Sequence, residues 1–199
     1  MGGSTLSGDS TDLERRANSL ASSGRYAAAV DVQRRLVEAR EQSLGSEHPD
    51  TLAARGNLAY FTGAAGDAAG ARDQFAALLP ILERVLGPEH PDTLAARGSL
   101  ASFTGEAGDA AGARDQYAAL LPIARRAWGR RHPDTLTTRA NLARWTGEAG
   151  DAAGARHQYI ALLPLLERAL GAEHPDTLTT RHELAYWTME AGDAAPDGS

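Results

Sequence analysis

Apolar positions along this chain fall into short helical series separated by small polar breaks. Leu52, Leu58, Ala59, Phe61 and Ala65 recur at the spacing of one helix face. A second series follows a two-residue break: Ala68, Ala71, Phe75, Leu78, Leu79, Leu82, Val85 and Leu86. The break is Gly66-Asp67, in which glycine suits the left-handed turn that ends a helix and aspartate is placed to cap the next one. Gly87 closes the second series, and Pro88 opposes its continuation. His48-Pro49-Asp50 opens the first, because proline suits the first helical turn and an aspartate there complements the helix dipole. One such unit is a helix–turn–helix.

The unit repeats. The string HPDTL stands at 48–52, 90–94, 132–136 and 174–178, each step 42 residues, and 33 of 42 positions are identical between 46–87 and 88–129. A period of this length signals a solenoid, in which each hairpin buries its apolar side on the next. The first unit is diverged: Thr11-x-x-Glu14 reads as a capping box, Leu13, Ala17 and Leu20 form the buried stripe, and a second helix runs from Gly24-Tyr26 to Leu44-Gly45. The last unit offers one helix, 175–191, before GDAAPDGS. The expected fold class is all-α, an α-solenoid of nine helices in four and a half repeats. Its units are about 11–45, 46–87, 88–129 and 130–171, with a half repeat at 172–192. Residues 1–10 are expected as a disordered tail and 193–199 as a second tail. Pro80, Pro122 and Pro164 lie late in the second helices and predict a bend or break there. Gly70, Gly112 and Gly154 sit early in the same helices, which suggests close approach of a neighbouring helix or drift in the array.

Composition narrows the function. With 199 residues and 42% apolar content, the chain can build one core. A formal charge of −6 argues against a nucleic-acid surface. All 20 cations are arginine, and there is no cysteine to form disulfides or thiolate metal sites. The N-terminal MGGSTLSGDSTD has no apolar h-region, and no apolar run approaches a membrane span. The expectation is a cytoplasmic protein with no membrane, nucleic-acid, metal or cofactor partner.

Three motifs invite chemical readings. TGEAGDAAGARDQY, at 104–117, has the glycines of a phosphate loop, yet a P-loop requires a lysine and a preceding strand. Its near-copies mark it as the elbow between two helices. HPD invites comparison with the J-domain, but four evenly spaced copies, each followed by Thr-Leu, fit a structural linker better. Glu47, His48 and Asp50 are too few for a metal site, and their copies stand a full repeat apart. Trp128, Trp145 and Trp187 replace Leu86, Phe61 and Phe103 at repeat-equivalent positions and read as core.

The unit resembles the tetratricopeptide repeat, in the extended 42-residue form of kinesin light chains. The family's alternation of small and large residues falls on Leu58, Ala59, Gly66, Ala71 and Phe75, then on Leu100, Ala101, Gly108, Ala113 and Tyr117, and again on Leu142, Ala143, Gly150, Ala155 and Tyr159. LGPEHPDTL is similar to the inter-repeat linker of the same type. Arg55, Arg97, Arg139 and Arg181 depart from the family's tryptophan, and Thr62, Thr104, Thr146 and Thr188 from its tyrosine.

The resemblance implies a right-handed superhelical segment whose first helices line a concave groove. The groove positions are Asn57 and Tyr60 in the second unit, and Ser99, Ser102 and Glu106 in the third. The fourth supplies Asn141, Arg144 and Glu148, and the half repeat His182, Glu183, Tyr186 and Glu190. Gly63, Gly105 and Gly147 fall on the same face. Asn57 and Asn141 suit a peptide's backbone amides, and the row Glu106, Glu148, Glu190 suits an arginine- or lysine-bearing segment. These glutamates lie on an open face with nothing to separate their pKa values, so acid–base catalysis is not expected. The expected function is a non-enzymatic protein-interaction scaffold holding an extended or helical peptide in the groove. Two alternatives stand beside it: a regulatory module of a signalling system, and a homodimer formed through helix 175–191, whose Leu178, Leu184, Ala185 and Trp187 lack a following helix.

Overall fold

The computed structural model describes residues 3–193, with side chains from 9 to 192. Nine helices and no strand occur among them: α1 (Gly3–Ser22), α2 (Tyr26–Leu44), α3 (Pro49–Ala64), α4 (Ala68–Val85), α5 (Pro91–Glu106), α6 (Ala110–Ala127), α7 (Pro133–Glu148), α8 (Ala152–Leu170) and α9 (Pro175–Asp193). The chain divides inside α5 into two compact units, Met1–Phe103 and Thr104–Ser199. α1 begins at Gly3, so Thr11, expected to cap it, lies inside the helix, and most of the stretch expected as an N-terminal tail is helical. Of the C-terminal tail, residues 194–199 lie outside the described residues.

The sequence punctuation works as expected at each turn. Gly66 and Gly87 adopt φ of 104° and 101°, the left-handed region that only glycine enters at little cost. From α3 onward the helix starts use two kinds of cap. The Nδ1 atoms of His48 and His132 accept from the backbone N–H of Asp50 and Asp134 at 3.2 and 3.3 Å, so HPD is the N-cap of a first helix. Asp67, Asp109 and Asp151 each accept from the backbone N–H three residues on, at 2.8 Å. Those three donors are Gly70, Gly112 and Gly154. A Cβ on any of them would overlap the capping carboxylate, so the glycines serve the cap of their own helix and not the approach of a neighbour. Replacing Asp151 with alanine should cost about 1 kcal/mol, read as a lower urea midpoint. Asp151→Asn should recover most of the loss, because it keeps the acceptor.

The break, one of the two outcomes expected at the prolines, does not occur. α4, α6 and α8 run through Pro80, Pro122 and Pro164 without a break. The three rings are exposed, whereas Leu78 and Leu82, Leu120 and Ala124, and Leu162 and Leu166 on either side are buried. The lost hydrogen bond faces water, and packing of the flanking apolar residues holds the helix together.

In unit 1, α1 to α4 pack successively on one another. Their cores gather Ala17, Ala29, Val32 and Phe61 at one end, and Leu52, Phe75, Leu78, Leu82 and Phe103 at the other. In unit 2, α6 to α9 pack in the same order, and Leu136, Tyr159, Leu162, Leu166 and Trp187 form a core. Five of the residues that depart from the family pattern have local partners. Gln74, Gln116 and Gln158 donate to the hydroxyls of Thr62, Thr104 and Thr146 at 3.2, 3.1 and 3.0 Å, tying first helix to second within each hairpin. Arg97 meets Glu83 at 2.7 Å and Arg181 meets Glu167 at 3.0 Å, tying successive hairpins.

The glycines on the first-helix face are packing positions. A Cβ on Gly63 would overlap the Phe103 ring, one on Gly105 the Trp145 ring, and one on Gly147 the Trp187 ring. They are therefore slots for the aromatic of the next first helix and not groove contacts. At the equivalent position of α9 stands Met189, 70% exposed. Trp145 and Trp187 are buried as expected, but Trp128 is only half-buried: it forms the C-cap of α6 and stacks on His132 with ring centroids 5.5 Å apart.

Candidate functional site

Unit 1 holds a cleft of about 270 Å³ between α3, α4 and α5. Its floor is apolar, made by Leu52, Phe75, Leu78 and Leu82, all of which belong to the core. Three of the expected residues stand on its wall: Asn57 and Tyr60 from α3, and Ser99 from α5. Ala53, Gly56 and Ala95 keep the walls low, and at Gly56 the nearest side chain to a built Cβ would be Leu78, at 3.9 Å. Tyr60 is 49% exposed, yet its ring is positioned edge-on to Phe61 and Phe103, at centroid distances of 6.2 and 6.3 Å. The ring therefore offers a face and a hydroxyl to anything entering the cleft without first losing much freedom. Ser102 is half-buried on α5 and does not line this cleft.

Sequence reasoning missed two contributions here. The apolar floor went unassigned because its members are also core residues, which periodicity cannot separate from a cleft bottom. Asp92, on the rim, belongs to the HPDTL string at 90–94, whose aspartate reads as a helix-start residue. Its side chain stays exposed while its backbone N–H is taken by His90 Nδ1 at 3.2 Å, so the carboxylate faces solvent beside the apolar floor.

In unit 2 the expected residues are brought together less completely. Arg144 is exposed on α7, with its guanidinium 4.8 Å from the centre of the Trp145 ring. Glu183 accepts from Trp187 Nε1 at 3.1 Å, and Tyr186 lies edge-on to Trp187 at 4.7 Å. Part of each side chain's capacity is thus spent inside the unit. Asn141 is half-buried, and Glu106, Glu148, His182 and Glu190 are exposed.

One group shows what this face does electrostatically. The Tyr159 hydroxyl donates to the Ala140 carbonyl at 3.2 Å. Burial first, and then the charge of Glu183, hold its pKa well above the usual phenol range. Arg144 opposes that rise and Glu148 adds to it. The phenol thus feels Glu183, Arg144 and Glu148 together, and stays a neutral donor. Glu106, Glu148 and Glu190 are all exposed. Of the α9 stripe expected to be uncovered, Trp187 and Leu184 pack into the core of unit 2. Leu178 and Ala185 remain exposed, as do Tyr186 and Met189.

Comparison with known proteins agrees with the hairpin architecture. A tetratricopeptide repeat profile matches residues 53–126, and a second tetratricopeptide repeat profile matches 13–50 and 135–176. No curated protein matches the chain. Among solved structures, the chain is similar to a kinesin-light-chain-like protein of Podospora anserina built of nearly identical TPR-like repeats. The identity is 26% and the TM-score 0.78, over 92% of this chain and 87% of that one. A substituted variant of that protein gives 0.79 at the same identity and coverage. BtubC (BKLC) from P. vanneervenii has the same fold at 17% identity, with a TM-score of 0.77 over 95% of this chain and 82% of that one. With matched segments covering most of its length and a helical hairpin in each, the chain belongs to the tetratricopeptide repeat family.

Proposed function

We propose that this protein is an interaction scaffold whose first-helix face holds an extended peptide segment of a partner protein, without covalent chemistry. The observation that carries this reading is the cleft of unit 1, with its apolar floor under Asn57, Tyr60 and Ser99. An apolar side chain of the peptide enters over Leu52, Phe75 and Leu78. Asn57 has both an amide donor and an acceptor for the peptide's backbone, and the Tyr60 ring packs alongside. Asp92 favours a lysine or arginine next to the anchoring residue. Burying one apolar side chain in a preformed cleft, with a few hydrogen bonds, supports a modest affinity that several such contacts raise.

The test is selection of peptides from a displayed random library against the whole chain, followed by titration of the winners. Selected peptides should carry an apolar residue flanked by a basic one. Tyr60→Ala combined with Asn57→Ala should weaken them by about tenfold, near 1.4 kcal/mol, with helical circular dichroism unchanged. A library that yields no binder, or winners indifferent to both substitutions, would refute the assignment.

A further inference from the structure

One tie in the repeat is reversed in charge. Between α4 and α5 the link is Glu83 with Arg97, and between α8 and α9 it is Glu167 with Arg181. The equivalent residues on α6 and α7 are Arg125 and Arg139. A glutamate at 125 is compatible with the hairpin, since the same design carries one at 83 and at 167. The like pair is costly: burial, and then the neighbouring charges of Arg125 and Arg130, push Arg139 below the usual guanidinium range. The Nε of Arg125 is buried without a hydrogen-bond partner, and no described residue pairs with either guanidinium.

The surroundings make this a site. Arg125 and Arg139 share a cleft of about 310 Å³ with Leu121, Leu142 and Ala161, and His157 stands on the α8 side. His157 occupies the position that Asp73 and Asp115 hold in the two preceding repeats. Where Arg84 grips Glu47 in unit 1, at 2.5 and 2.9 Å, the equivalent positions in unit 2 are Arg168 and Arg131, neither of which has a partner among the described residues. Three acidic positions of the repeat are thus replaced by arginine or histidine within one hairpin step. Arg139 and Leu142 lie away from the α7 face that carries Asn141 and Arg144, so this cleft is separate from the peptide face described above.

We propose that the cleft binds an acidic peptide segment of a partner protein, whose Glu or Asp carboxylate takes the place between Arg125 and Arg139 that Glu83 and Glu167 fill elsewhere in the array. Two guanidinium forks match a carboxylate, and the apolar wall of Leu121, Leu142 and Ala161 receives a leucine-sized neighbour. The carboxylate would neutralise two like charges that the fold leaves in one cleft.

The most direct test restores the repeat's own residue. Fluorescence anisotropy is measured with a dye-labelled peptide of repeated Leu-Glu-Glu against the full chain. Wild type should bind saturably, more weakly as salt rises. Arg125→Glu should weaken binding at least tenfold while raising the thermal midpoint, because it closes Arg139 with an internal pair. Arg125→Ala, which adds no charge, should lose at least threefold, and Tyr60→Ala should change nothing, which separates this site from the cleft of unit 1. The proposal fails if the peptide shows no saturable binding, or if Arg125→Glu binds it as well as wild type. It also fails if inorganic phosphate or a single-stranded oligonucleotide occupies the cleft more tightly than the peptide does.

Discussion

Trp145→Ala should lower stability by about 3–5 kcal/mol, whereas Trp145→Phe should cost about 1 kcal/mol or less. The indole is 5% exposed and seated on Gly105, where a side chain would overlap it, so truncation leaves a cavity that the helices cannot readily close. The conservative change is mild for two reasons. Phe103 fills the same position one repeat earlier, so the slot accepts a phenyl ring. Moreover, the Trp145 Nε1–H is buried without a partner, and removing an unsatisfied donor returns about 1–3 kcal/mol against the lost contact area. Trp187 supplies the contrast, because its Nε1 donates to Glu183 at 3.1 Å. Trp187→Phe should therefore cost more than Trp145→Phe, although both rings are equally buried. Urea titration combined with hydrogen exchange of the α7 and α9 amides resolves the two sites, since repeat arrays lose structure locally. Equal costs for the two phenylalanine substitutions would rule out this account of the indole nitrogens.

The period of 42 residues made the hairpins, their caps and their glycine turns legible in advance, because each of those features is local: a cap is satisfied within three residues and a left-handed turn within one. What stayed hidden was decided by distance in the chain. Gly63, Gly105 and Gly147 sit on the helix face that the family resemblance assigns to ligand. Only the structure shows aromatics from the following repeat filling the space above them. Pro80, Pro122 and Pro164 are helix breakers by propensity, and packing of the flanking apolar residues keeps the helices continuous through them. Among the candidate site residues, Asn57, Tyr60 and Ser99 converge on one cleft. Glu183 and Arg144, by contrast, are drawn toward tryptophans of their own helices, at i+4 and i+1, contacts that helix spacing permits and the groove assignment leaves out. The reversed charge at Arg125 was visible in the aligned repeats as one of the differences between 46–87 and 88–129. It gains meaning only beside Arg139 and His157, which the fold brings to the same cleft.

The same contrast gives the second large effect, in which a substitution that ordinarily stabilises a helix should do the reverse. Alanine in place of a helix-interior glycine usually gains about 0.5–1 kcal/mol by restricting the unfolded chain. Gly56→Ala should follow that rule, since the nearest side-chain atom to its new methyl would be Leu78 Cδ2 at 3.9 Å, an ordinary contact. Gly147→Ala should instead lose about 1–3 kcal/mol, because the methyl would overlap the Trp187 ring and force α7 and α9 apart. The cause can be isolated by a double-mutant cycle. In a Trp187→Ala background the obstruction is gone, so Gly147→Ala should regain the ordinary stabilising sign, and the two changes should be coupled by more than about 1 kcal/mol. Additive effects in that cycle would mean that Gly147 is not the seat of the Trp187 ring. The packing rule inferred for Gly63 and Gly105 would then fall with it, because all three rest on the same geometry.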